Sequence, residues 1–281
     1  MHHRLIRKLF CAVVFQCIAI NTLYADTPRA GLSGEFGPTI LHTLYNEPGV
    51  MQESSNMSGI SGSITYCGNH IIGFIDMLKV EGLAVSGKAD YSSPLAGTIN
   101  GINDSLIETR LLIGGKSETS RQILLTPYTG IGYRQLKDNG NGKVSSTGGY
   151  KIYNRESNYL YTPVGLDISS ETTAGWTIGG TIEYDYFWRG TQNSALTEAN
   201  DKTNTFSDNL KNPQNDGYGL RVSIRAVMKY AHFSLALEPF FRYWNLDNSR
   251  PCIIQVNGAN RSFIEPANSS SQYGLTASLR F

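Results

Sequence analysis

The stretch Tyr273-Gly-Leu-Thr-Ala-Ser-Leu-Arg-Phe281 alternates apolar and polar residues up to its last position. Tyr273, Leu275, Ala277, Leu279 and Phe281 fall on one side of an extended chain. Gln272, Gly274, Thr276, Ser278 and Arg280 fall on the other, because successive strand side chains point to opposite faces. One face suits hydrocarbon and the other suits water. A strand of this kind fits the wall of a membrane barrel, apolar outside and polar within.

Nine more β-rich segments precede it, at roughly 31–43, 57–67, 72–91, 104–115, 121–137, 157–169, 175–189, 217–229 and 232–246, with 270–281 as the tenth. Short links (68–71, 116–120, 170–174, 230–231) alternate with long polar ones (44–56, 92–103, 138–156, 190–216, 247–269). An even strand number, with short turns at one end and long loops at the other, is how bacterial single-chain barrels are organised. The expected fold is therefore all-β: a single closed antiparallel transmembrane β-barrel of ten strands, with short periplasmic turns and long extracellular loops. Eight strands is the fallback, because Leu83 and Val85 break the alternation set by Lys79 and Glu81 and suggest a bulge or split there.

The start of the chain agrees. Arg4, Arg7 and Lys8 precede the apolar run 9–20, and small and polar residues follow up to Ala25, which reads as a secretory signal peptide at 1–25 ahead of a barrel domain at 26–281. The apolar run is too short to span about 30 Å of hydrocarbon. Of 281 residues, 40% are hydrophobic and only 17% charged, with 29 Gly and 16 Tyr, and no later segment reaches the roughly 18 apolar residues of a membrane helix. Without Arg4, Arg7 and Lys8 the chain keeps 21 basic against 23 acidic residues, a balance that argues against nucleic acid as a partner. Cys67 and Cys252 are expected at opposite ends of the barrel, as two free thiols, with no metal site and no cofactor.

Parity sorts the faces. Trp176, Ile178, Ile182, Tyr184, Tyr186 and Trp188 are expected toward lipid, with Thr177, Gly179, Thr181, Glu183, Asp185 and Arg189 inward. The same reading along all strands collects an inward charge network of Lys79, Glu81, Glu108, Arg110, Arg134, Asp167, Glu183, Asp185, Arg221, Arg225, Lys229, Glu238, Arg242 and Arg280. A ten-stranded barrel is narrow, so arginines reaching across to carboxylates would plug the lumen. The alternative is a narrow passage for ions or solutes.

The segment 273–281 resembles the C-terminal assembly signal of bacterial outer-membrane β-barrel proteins, with Tyr273, Leu279 and Phe281 as its signature positions. The stretches 125–134 and 159–166 are also similar to strands of small, largely uncharacterised barrels of this class. The resemblance implies an integral outer-membrane protein whose partners are outer-membrane lipid and lipopolysaccharide, with the barrel assembly machinery inserting it. It implies no shared catalytic group, so a non-enzymatic, structural or surface-interacting role is expected, with the loop 190–216 as the place for a surface ligand. Enzymatic members of the class set the comparison. Omptin proteases need aspartates and a histidine above the outer rim, where this chain has His42 alone. His232, Ser234 and Glu238 resemble the His-x-Ser and carboxylate of lipid A deacylases, a Ser–His–acid chemistry, yet they fall beside a short turn rather than at the outer leaflet. A lipid A-modifying activity is the second alternative.

Overall fold

The structure, a computed structural model, describes residues 31–119, 123–172 and 175–281. The signal peptide expected at 1–25, and the first two residues of the segment expected at 121–137, lie outside them. The strands in chain order are β1 (Gly31–Glu47), β2 (Met51–Ile72), β3 (Ile75–Ser93), β4 (Gly97–Gly114), β5 (Ser117–Glu118), β6 (Ile123–Asn139), β7 (Arg155–Glu171), β8 (Trp176–Ser194), β9 (Leu210–Gln214), β10 (Gly217–Lys229), β11 (Ser234–Leu246), β12 (Cys252–Val256), β13 (Ala259–Phe263) and β14 (Asn268–Arg280).

Ten of them form a closed barrel in the order β1-β2-β3-β4-β6-β7-β8-β10-β11-β14, every neighbour antiparallel. β14 closes the ring on β1, from Glu35 opposite Arg280 to Asn46 opposite Ser269. β9 extends the wall beside β8 before the chain enters β10. The two-residue β5 pairs with β6, and β12 and β13 form a hairpin in the last long connection, turning at Asn257-Gly258, both with positive φ as a type I′ turn requires.

The strands are longer than expected, and two of the expected loops are strand. β1, β2, β3 and β4 run 17, 22, 19 and 18 residues, against the roughly 9–11 that cross a bilayer. Residues 44–56 and 92–103 therefore fold mostly into the wall, joined by tight turns at 48–50 and 94–96. Apolar alternation ends where lipid ends, whereas the hydrogen-bonded ladder continues beyond it. At the other end the chain turns tightly, as at 73–74 between β2 and β3.

Outward positions form the apolar belt: Ile60, Ile182 and Ile224 are 66%, 62% and 63% exposed. The β8 face falls as expected through Phe187, and then a bulge intervenes. Tyr161 lies opposite Phe187 and Leu160 opposite Arg189, leaving Trp188 unpaired. An extra residue flips the parity that follows it, so Arg189 points outward, correcting its inward assignment. β3 is unbroken through Leu83 and Val85, both pointing inward against Leu41, Met57 and Leu106, because the lumen is apolar at that level.

Candidate functional site

The lumen is layered, and each layer follows from the inward parity of several strands. At mid-height, Arg110 on β4 donates through Nη1 to both carboxylate oxygens of Glu183 on β8, at 2.6 and 2.7 Å, and through Nε to Glu81 on β3 at 2.8 Å. Glu108, also on β4, accepts from Arg221 on β10 at 2.9 Å, Arg242 on β11 at 2.7 Å and Tyr161 on β7 at 2.8 Å. Arg134 on β6 stands 4.0 Å from Glu108 and donates to Gln272 on β14 at 3.1 Å. Tyr128 donates to Glu183 at 2.7 Å. Eight of the barrel strands thus meet in one layer of charge-assisted bonds across the lumen.

Toward the long-loop end the layer is backed by rings. Tyr159, Tyr161, Phe187, Trp244 and Leu246 pack as one buried cluster, with the Arg134 guanidinium 5.8 Å from the Trp244 ring centre. Higher still, Arg155 binds two carboxylates through Nη2, Glu47 at 2.7 Å and Glu265 at 2.5 Å, while the Tyr45 hydroxyl donates to Glu47 at 2.8 Å. Glu265 belongs to the connection between β13 and β14, so this clasp ties the last long loop to the rim. Burial pushes its carboxyl up to about 7; Arg155 opposes that rise and the neighbouring Glu47 adds to it. Leu196, Leu210 and Ile254 from the loops form an apolar cap.

Toward the short-turn end the pairs are sparser. Lys79 meets Glu81 at 2.5 Å, Asp167 accepts from Thr181 at 2.6 Å, and Arg225 bridges Glu35 and Glu238, the latter at 3.0 Å. Around these groups lies a cavity of about 300 Å³ that also reaches Arg280.

The structure brings Glu81, Glu108, Arg110, Arg134, Glu183, Arg221 and Arg242 together in the central layer, and places Lys79, Asp167, Arg225 and Glu238 below it. Asp185 is buried. Lys229 lies at the short-turn mouth, half exposed, paired with Glu171, and Arg280 is exposed there too. Sequence reasoning missed Glu35, Glu47, Arg155 and Glu265. Glu35 shares inward parity with Thr39, a signal available from the start; Arg155 and Glu265 fall in stretches whose polar composition read as loop.

The candidate Ser–His–acid group does not assemble. Glu238 is engaged by Arg225, and four strand positions separate it from Ser234, about 13 Å at the usual rise per residue. His232 and Ser234 lie at the short-turn mouth. His42 points outward, its Nδ1 2.9 Å from Asn56 Oδ1. The thiols of Cys67, near the short turns, and Cys252, in the β12–β13 hairpin, are free.

No family model matches the chain, and no curated protein matches its sequence. Solved structures do. The outer-membrane protease OmpT of Escherichia coli superposes with a TM-score of 0.64 at 13% identity, over 93% of this chain and 99% of that one. The translocator domain of the autotransporter NalP of Neisseria meningitidis gives 0.41 at 11% identity, over 98% and 95% of the two chains. The toluene transporter TbuX of Ralstonia pickettii gives 0.37 at 9% identity, over 90% of each. At this identity the likeness to OmpT speaks for the fold and not for an activity. The chain is a closed ten-stranded antiparallel barrel of the bacterial outer-membrane type.

Proposed function

We propose that the protein is an integral outer-membrane barrel with a non-enzymatic, structural or surface-interacting role and a lumen plugged by charge, exported by a signal peptide at 1–25. Its short turns face the periplasm and its long loops the outside, where residues 190–216 offer a surface for a ligand. Lipid and lipopolysaccharide surround the apolar belt, and the barrel assembly machinery inserts the chain. No cofactor enters this reading.

The observation that carries it is the layer joining Glu81, Glu108, Arg110, Glu183, Arg221 and Arg242 across the lumen, backed by the Tyr159–Trp244 ring cluster. A solute would have to break buried ion pairs, each costing several kcal/mol once one partner is left alone, and then part packed rings. The test is planar-bilayer recording of the purified mature barrel. We expect no discrete conductance steps; reproducible steps that scale with ion concentration would establish the channel instead. The enzyme alternative is checked by lipid A analysis of cells carrying the wild type or Ser234→Ala, with the same lipid A expected from both.

A further inference from the structure

The cavity below the charge layer is blind: the ion pairs and the ring cluster close it toward the long loops, and it opens toward the short turns. A blind cavity serves binding rather than passage. Its size, about 300 Å³, lies at the small end of ligand pockets.

Its wall shows what chemistry it would accept. Most of the charges along it are matched in place, with Lys79 on Glu81, Arg225 between Glu35 and Glu238 and Arg242 on Glu108, while Asp167 accepts from Thr181 and Lys116 and Arg280 lie toward the mouth. A charged ligand would have to displace one member of such a pair and leave its partner without a counterion in a partly desolvated site. Uncharged donors and acceptors are plentiful beside the pairs, with Ser33, Ser61, Ser63 and Thr65 on β1 and β2 facing Ser169 and Thr177 on β7 and β8.

We propose that this cavity is a binding site for a neutral, oxygen-rich molecule about the size of one sugar ring. The paired charges at its deep end disfavour ions, and the hydroxyl-lined strands exchange hydrogen bonds with the ligand. Only the side from which the ligand enters, the periplasm, rests on the orientation given above.

Binding of D-glucose to the mature barrel in detergent micelles tests the site by saturation-transfer NMR, with glucuronate and glucosamine as charged versions of the same ring at equal ionic strength. We expect saturable glucose binding, with both charged sugars weaker by roughly tenfold or more. Ser63→Trp, which fills the cavity, is expected to abolish binding while the barrel keeps its heat-modifiable electrophoretic mobility. Ser58→Trp, on the outward face of the same strand, is expected to leave binding unchanged. No saturable signal from any of the three sugars overturns the site and leaves a water-filled vestibule, as does binding that survives Ser63→Trp. Preference for a charged sugar overturns the assigned ligand class. None of these results bears on conductance, so the site and the closed-barrel reading fail separately.

Discussion

Glu108 is a single carboxylate to which Arg221, Arg242 and Tyr161 all donate, with Arg134 4.0 Å away. Glu108→Ala leaves Arg242 buried without its anion and Arg221 with Glu183, 3.3 Å away, as its close carboxylate. The expected cost is about 3–5 kcal/mol in urea unfolding from lipid vesicles, with Glu108→Gln losing less because the acceptor oxygen stays. Glycines set a second constraint. A Cβ at Gly130 would lie 2.0 Å from the Leu111 carbonyl oxygen, and one at Gly59 2.0 Å from that of Ala84. Backbone cannot swing aside as a side chain does, so Gly130→Ala is expected to lower stability by about 1–3 kcal/mol in the same assay. Much at this scale was legible from parity alone, since residues two apart on a strand share a face. Arg189 was not, because a bulge appears only when the partner strand fixes the register.

The connection from β11 to β14 carries the β12–β13 hairpin and is held at the rim by Glu265. Around that carboxylate stand Arg155 at the start of β7, Tyr153 just ahead of it, Glu47 and Tyr45 on β1, and Tyr159 deeper in the lumen. Two carboxylates share one guanidinium, so the arrangement is most comfortable when Glu265 holds a proton. Its docked pKa of about 7 lies above the ordinary 4.5. Docking therefore gains fully from the proton below pH 4.5 and loses that gain as pH rises through about 7. Amide exchange of residues 252–263, corrected for intrinsic rates, is expected to quicken between pH 5 and pH 8 by about tenfold or more. Glu265→Gln should flatten that dependence, and an unchanged profile would count against the clasp. The sequence hid this element because Arg155 and Glu265, 110 positions apart, meet only after the barrel closes.

The barrel as a whole has two unlike halves, one sealed by rings and aliphatic side chains beneath a charged rim toward the long loops, and a polar, partly hollow one toward the short turns. Removing charge should therefore not open it. Glu108→Ala combined with Arg110→Ala is expected to stay electrically silent in planar bilayers, whereas adding Tyr159→Ala and Trp244→Ala should produce conductance. Conductance from the charge variants alone would mean that the rings do not seal. Ring order, strand number and the outward belt were readable from alternation and turn spacing. The layering was not, because groups facing one another across the lumen are related by strand tilt rather than by sequence distance. The barrel also leaves a signature in how it can change over generations. Rings lie over glycines on neighbouring strands, Tyr161 over Gly132, Tyr128 over Gly165 and Phe240 over Gly274, each within 2.3 Å of where a Cβ would stand. Each pair is coupled in inheritance: a larger residue in place of the glycine must displace the ring, and is accommodated best in a lineage that has already surrendered it. Related chains should therefore vary at these positions two at a time.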